Sequence, residues 1–275
     1  MSENYSWYNG QTALSDEIKI STDDLGFLRG YSLFDYFRTY NQNAFQWDWY
    51  WDRFETSAKL LNIPLDIKKE DVRSIVDELI RLRNKPEAAF RFILTGGDSP
   101  DSSTMVSPNF LIRCEDLPFI DPETYKTGIS IITHSYARDM PEIKSTDYKR
   151  VLSLECEIKK ANAVDVLYHS DGFISEMSRS NVFIVKDGQL KTAEKGVLKG
   201  ITRKAVIAIA SPDFSVEETT ISLKDIFNAD EVFTTSTNKK VLGVTKIDGR
   251  QIANGQVGPV TKELYSRFEK LTLNW

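Results

Sequence analysis

Residues 168–192 read "YHSDGFISEMSRSNVFIVKDGQLKT". Two Asp-Gly pairs, at 171–172 and 187–188, separate runs that alternate like strands. Asp-Gly is a strong hairpin signal, because a tight two-residue turn needs positive φ at both central positions. The stretch therefore predicts two hairpins in succession, and it sets Glu176 inside a strand. A carboxylate within a sheet is costly unless it faces a cation. Spacing alone leaves two readings open, a surface glutamate on an edge strand or the partner of a positive group.

Working outward, "KGITRKAVIAIA" (199–210) opens a helix, and "ADEVFTTSTNKKVLGVTKIDGRQI" (229–252) returns to strands with a third Asp-Gly. "PVTKELYSRFEKLT" (259–272) closes the chain as a helix. Upstream, "STDYKRVLSLECEIKKANAV" (145–164) predicts a helix with Ser145, Thr146 or Asp147 as N-cap. The run "GISIITHSYAR" (128–138) before it is strand-like. In the first third a helix begins near Asp52, and "KKEDVRSIVDELIRLRN" (68–84) carries an apolar stripe at Val72, Ile75, Val76, Leu79, Ile80 and Leu82. "AAFRFILTG" (88–96) and "SPNFLIRCE" (107–115) are strands joined by a Gly/Asp/Ser/Pro loop. Prolines and acids in "EDLPFIDPETYKTG" mark a linker. The expected divisions are a domain at 1–115, a linker at 116–123 and a domain at 124–275. Mixed strands and helices in two unequal halves predict an α+β fold, and no GxGxxG or phosphate-loop motif argues for a doubly wound sheet.

The chain has 275 residues, 41% apolar and 27% charged, with a formal net charge of −5. That balance argues against a nucleic-acid or anionic-membrane partner. Cys114 and Cys156 lack metal-ligand spacing and read as buried free thiols of a reducing compartment. "MSENYSWYNG" has neither a basic start nor an apolar core, and no stretch matches a membrane span, so a cytoplasmic location is expected. His134 and His169 are too few and isolated for a metal site or a Ser-His-Asp triad.

Three further places carry candidate chemistry. Lys144, in "PEIKSTDYKRV" (141–151), stands between a strand and a helix. A lysine held rigidly and desolvated there attacks a carbonyl, whereas a solvated one is ordinary surface. "VLKGITRKAV" (197–206) opens a helix at Gly200-Ile201-Thr202, which suits a phosphate or is simply a helix start. "FTTSTNKK" (233–240) clusters hydroxyls after a strand, a polar loop or the other wall of a phosphate cup.

In their order and spacing, "IKSTDY", "GFISEMSRSNVF" and "LKGITRKAV" resemble the class IV, or fold-type IV, pyridoxal-phosphate aminotransferases. The likeness extends to "FDYFRTYNQNAFQWDWYWDRFETSAKLL", "ADEVFTTST" and "IDGRQI", and so spans nearly the whole chain. It implies a small N-terminal α/β domain and a larger C-terminal pseudo-barrel domain. It implies pyridoxal 5′-phosphate as cofactor, Lys144 as the Schiff-base lysine and proton shuttle, and Glu176 as partner of the pyridine nitrogen. Arg53, Ile201, Thr202, Ser236 and Thr237 would hold the phosphate, and Tyr148 the phenolic oxygen. A homodimer is implied, with a neighbouring subunit's loop completing the pocket.

Substrate is less legible. D-amino-acid aminotransferases of this family hold the carboxylate with a tyrosine and an Arg-x-His pair; here Phe34 and Gly96 stand at those places. Branched-chain aminotransferases are matched at Arg91, while "TST" late in the chain is nearer the D-amino-acid branch. Arg29, Arg91 and Arg179 are the candidate carboxylate ligands, and a guanidinium within apolar "AAFRFIL" needs an anion. The expectation is a transaminase of D-glutamate or D-alanine with a 2-oxo acid. An L-branched-chain aminotransferase and a 4-amino-4-deoxychorismate lyase are the alternatives.

Overall fold

The computed structural model describes residues 4–275; residues 1–3, with which the stretch inspected for a leader begins, lie outside it. The chain divides into two compact units. One runs to Pro118 and takes in Ile143–Asp147 and Trp275; the other comprises Phe119–Glu142 and Tyr148–Asn274.

The first unit is built from β1 (Tyr5–Tyr8), β2 (Gln11–Leu14), α1 (Leu25–Arg29), β3 (Ser32–Tyr40) and β4 (Asn43–Ala44). It continues through α2 (Trp47–Leu60), α3 (Lys69–Arg83), β5 (Ala89–Asp98) and β6 (Ser107–Glu115). Among the described residues its strands make one antiparallel sheet in the order β2-β1-β6-β5-β3-β4. Helix α2 lays Trp47, Tyr50, Trp51, Phe54 and Ala58 into the core. Phe37 meets Phe90 face to face with centroids 5.2 Å apart, and Phe54 lies 5.4 Å edge-on to Phe92. Each such pair is worth about 0.5–1.5 kcal/mol beyond the area it buries.

The second unit begins with α4 (Thr124–Thr127), β7 (Ile129–Ser135), α5 (Lys149–Ser153), α6 (Glu155–Lys160), β8 (Asp165–Ser170) and β9 (Phe173–Met177). It continues with β10 (Asn181–Lys186), β11 (Gln189–Ala193), α7 (Ile201–Ala210), β12 (Val216–Thr219) and α8 (Leu223–Phe227). It ends with β13 (Glu231–Ser236), β14 (Lys240–Ile247), β15 (Arg250–Gln251) and α9 (Pro259–Leu273). Its mixed sheet runs β12-β11-β10-β13-β14-β7-β8-β9, with β15 on β14. The three Asp-Gly hairpins form as expected: Asp171, Asp187 and Asp248 take φ of 53°, 50° and 50°, and each following glycine is also positive. Both units mix helices with sheets, so the fold is α+β. No helix of the described residues is long and apolar enough to cross a membrane.

Several local expectations fail: Cys156 is exposed, the helix expected near Asp52 begins at Trp47, and Leu82 of the predicted stripe is 42% exposed at the end of α3. The helix predicted from 145–164 starts at Lys149, with Tyr148 as N-cap, and is broken at Leu154 into α5 and α6. Residues 144–146 cannot cap it because their backbone pairs elsewhere. The Phe34 N–H donates to the Lys144 carbonyl at 2.9 Å, and the Thr146 N–H donates to the Ser32 carbonyl at 3.3 Å.

Candidate active site

That pairing fixes Lys144. Strand β4 covers β3 only at Thr39 and Tyr40, so the other end of the same edge is open to the residues around the lysine. Leu33 pairs with Ser145 in an isolated bridge, and the hydroxyls of Ser32 and Thr146 are 2.5 Å apart. Ile143 is buried, and the Lys144 N–H reaches the buried Ser57 hydroxyl of α2 at 3.5 Å. The side chain is half-buried, with Nζ 4.6 Å from the centre of the Phe34 ring.

Arg91 shares that ring. Its guanidinium carbon is 5.5 Å from the centre of Phe34 and 4.9 Å from that of Tyr36. The register explains the meeting: Phe34 is opposite Ile93 and Tyr36 opposite Arg91, so all three side chains stand on one face. The anion that a guanidinium in this strand needs is Glu115 on β6, which accepts from Nε at 2.8 Å and from Nη2 at 3.1 Å. Lys144 and Arg91 are thus brought together.

Arg53 is set on α2 by a second fork. Its Nε and Nη2 donate to Oδ2 and Oδ1 of Asp35 at 2.9 and 2.6 Å. Asp35 is wholly buried, so losing the arginine would strand a charge at a cost of about 3–5 kcal/mol. Arg29 stands exposed at the end of α1, its Nε donating to the Ser102 carbonyl at 3.0 Å.

In the second unit Glu176 is only 4% exposed, which excludes the surface reading of the sequence. Its Oε1 accepts from Arg138 Nη1 at 2.6 Å and its Oε2 from the Leu198 N–H at 3.0 Å. Arg138 is the counter-charge that a buried acid requires.

Leu198 leads into α7. Gly200, the N-cap, makes no side-chain cap bond, which leaves the first-turn N–H groups at the positive helix end. A Cβ there would lie 2.1 Å from Asn181 Oδ1, so any other residue would have to displace the Asn181 side chain. Asn181 in turn donates to the Leu198 carbonyl at 2.8 Å. Across the sheet Asn181 is opposite Thr235, so the two side chains share a face. Thr235 Oγ1 is buried with no hydrogen-bond partner. Asn181 therefore joins the start of α7, with Ile201 and the buried Thr202, to the end of β13, with Ser236 and Thr237. Arg203 and Lys199 brace this segment on Glu218 and lower the pKa of its carboxyl to about 2.

Tyr148 packs on the cluster of Val151, Leu154, Ile158, Val166 and Tyr168. The Arg179 guanidinium carbon stands 5.6 Å from the centre of its ring.

These donors suit a phosphorylated aromatic aldehyde. An uncapped helix end and an orphaned hydroxyl fit a phosphate, a charge-held carboxylate fits a basic ring nitrogen, and a fixed lysine fits a carbonyl. Sequence reasoning missed Asp35, Arg138, Asn181 and Thr235. Asp35 had a signal, an acid set among aromatics just as Glu176 is set in its strand.

The family model for class IV amino-transferases matches residues 32–247. A Methanocaldococcus jannaschii protein named "Putative branched-chain-amino-acid aminotransferase" is 34% identical over 98% of this chain and 96% of its own. The D-alanine aminotransferase of Staphylococcus haemolyticus is 31% identical over 95% of each. The solved branched-chain amino acid aminotransferase of Escherichia coli superposes with a TM-score of 0.89 at 26% identity, covering 99% of this chain and 95% of that one. The chain belongs to the class IV aminotransferases.

Proposed function

We propose that this chain is a transaminase that moves the amino group between a D-amino acid, D-glutamate or D-alanine, and a 2-oxo acid such as 2-oxoglutarate or pyruvate. Its cofactor is pyridoxal 5′-phosphate. When bound, this group supplies an aldehyde that condenses with amines and a ring that takes up the electron pair released at the substrate Cα. Lys144 is assigned as the amine that holds the cofactor and as the base that carries the Cα proton. Glu176 is assigned to the ring nitrogen, with Arg138 maintaining its charge. Arg53, the first-turn N–H groups of Ile201 and Thr202, Ser236 and Thr237 are assigned to the phosphate, and Tyr148 to the phenolic oxygen. The observation that carries the proposal is the clamp on Lys144, which keeps its amine half-buried against Phe34 beside Arg91.

Arg91, Arg179 and Arg29 are assigned to substrate carboxylates. Arg29 would act on the pocket of a neighbouring subunit in a homodimer. Phe27, 74% exposed on the same short helix, is an apolar group suited to such an interface. A cytoplasmic location belongs to the same proposal. Arg91→Ala is expected to raise KM for 2-oxoglutarate about tenfold, the loss of one charge-assisted carboxylate contact, while cofactor content stays unchanged. An unchanged KM would move the carboxylate contact to Arg179 or Arg29.

A second reading, an L-branched-chain aminotransferase, is favoured by the names of the archaeal relative and of the E. coli structure. Half-reactions decide between them. Loss of the yellow absorbance should be about tenfold faster with D-glutamate than with L-leucine, one contact's worth of discrimination. The reverse order would establish the branched-chain assignment. Pyruvate release from aminodeoxychorismate without a 2-oxo acid acceptor would instead identify the lyase.

A further inference from the structure

Asp165, at the start of β8, is a buried acid that none of the roles above uses; it is 4% exposed. Its Oδ1 accepts from the Val166 N–H at 2.8 Å and from the Ser178 hydroxyl at 2.5 Å. Its Oδ2 accepts from Lys239 Nζ at 2.7 Å, and the same Nζ lies 3.5 Å from the Ser180 hydroxyl. Ser178 and Ser180 flank Arg179, and the turn they form is closed by the Met177 N–H donating to the Ser180 carbonyl at 2.9 Å. Lys239 ends the other turn, and its N–H donates to the Ser236 hydroxyl at 3.2 Å. One part-buried ion pair therefore ties the turn that carries Arg179 to Ser236 at the end of β13 and to the turn after it, which carries Thr237. Between the tied serines, the exposed Arg179 side chain is left to lie over the fixed ring of Tyr148.

We infer that Lys239 is a positioning residue: through Asp165 it locks the 178–180 turn and so aims Arg179 at the second carboxylate of a dicarboxylic substrate. The inference rests on the proposed transaminase function for its substrate, but not for the lock. A charged donor at the buried end of Asp165 satisfies an acid that would otherwise disfavour this packing. An apolar residue at 239 would release both turns at once. The consequence falls on substrates with two carboxylates, because an arginine fork reads a planar anion only in one orientation.

The test compares the cofactor-loaded protein with Lys239→Met, Lys239→Arg, the charge-neutral pair Asp165→Asn with Lys239→Met, Arg179→Ala, and Arg179→Ala with Lys239→Met. Amide hydrogen exchange without substrate reads the lock. Exchange at 177–180 and at 236–240 should rise together in Lys239→Met and in the charge-neutral pair, and return in Lys239→Arg. Faster exchange confined to 236–240 would overturn the inference. Steady-state kinetics read the consequence. Lys239→Met should raise KM for 2-oxoglutarate about tenfold, as expected for a displaced contact, and raise KM for pyruvate, which has one carboxylate, much less. Arg179→Ala should also raise KM for 2-oxoglutarate about tenfold, and adding Lys239→Met to it should raise that KM no further. Equal effects on both acids, or additive effects in the double variant, would overturn it. A protein that turns over neither acid would sink the proposed function, while the exchange arm would still decide the lock.

Discussion

Lys144→Ala is expected to lower kcat by about 10⁴-fold or more, because one amine is asked both to bond the cofactor and to move a proton. The fold should survive the change. The segment is held by the backbone of Lys144 and Thr146 on β3, by the buried Ile143 side chain and by the Ser32–Thr146 hydroxyl contact. None of these involves the amine. A melting temperature within a few degrees of the parent, with turnover gone and no borohydride-fixed adduct at position 144, is the expected combination. Retention of more than a tenth of the parental kcat would refute the assignment of this lysine.

Glu176→Gln should lower kcat by about 10²–10³-fold, the scale of removing one preorganised charge from a catalytic site. The amide keeps the shape of the side chain, but its single oxygen can accept from only one of the two donors that the carboxylate serves, the Leu198 N–H and Arg138. What is lost is the negative charge that the proposed function assigns to the ring nitrogen. The sharper comparison is Arg138→Met, which leaves the acid in place but removes its counter-charge. It should move kcat in the same direction, and the combination with Glu176→Gln should cost less than the sum, as coupled residues do. Full additivity would mean that the arginine serves something other than the acid. Steady-state kcat, with cofactor content measured on each protein, settles both points.

Much of the fold was legible because its signals are local. The apolar stripe of α3 up to Ile80, the proline and spacing of α9 and the three Asp-Gly hairpins all depend on residues within a turn or two of one another; beyond Ile80 the stripe misled, since Leu82 is exposed and Arg83 buried. The segment around Lys144 was misread for the opposite reason. Ser145, Thr146 and Asp147 are good helix starters, but β3 lies more than a hundred residues away and captures their backbone first. Arg138 was invisible because nothing near it in the chain announces the Glu176 carboxylate. Arg91 illustrates a half-success. The demand of its strand for an anion was readable, yet the protein meets that demand itself with Glu115. Glu218 and its two cations are likewise a long-range arrangement that no local pattern reveals.

The open end of β3 has a meaning for solubility as well. Unpaired N–H and carbonyl groups along a sheet margin invite another molecule to add a strand, a common route to aggregation. Here the residues flanking Lys144 fill that margin at Ser32 and Phe34. The segment that carries Lys144 is therefore also a guard against polymerisation, a service its backbone performs whatever the amine does.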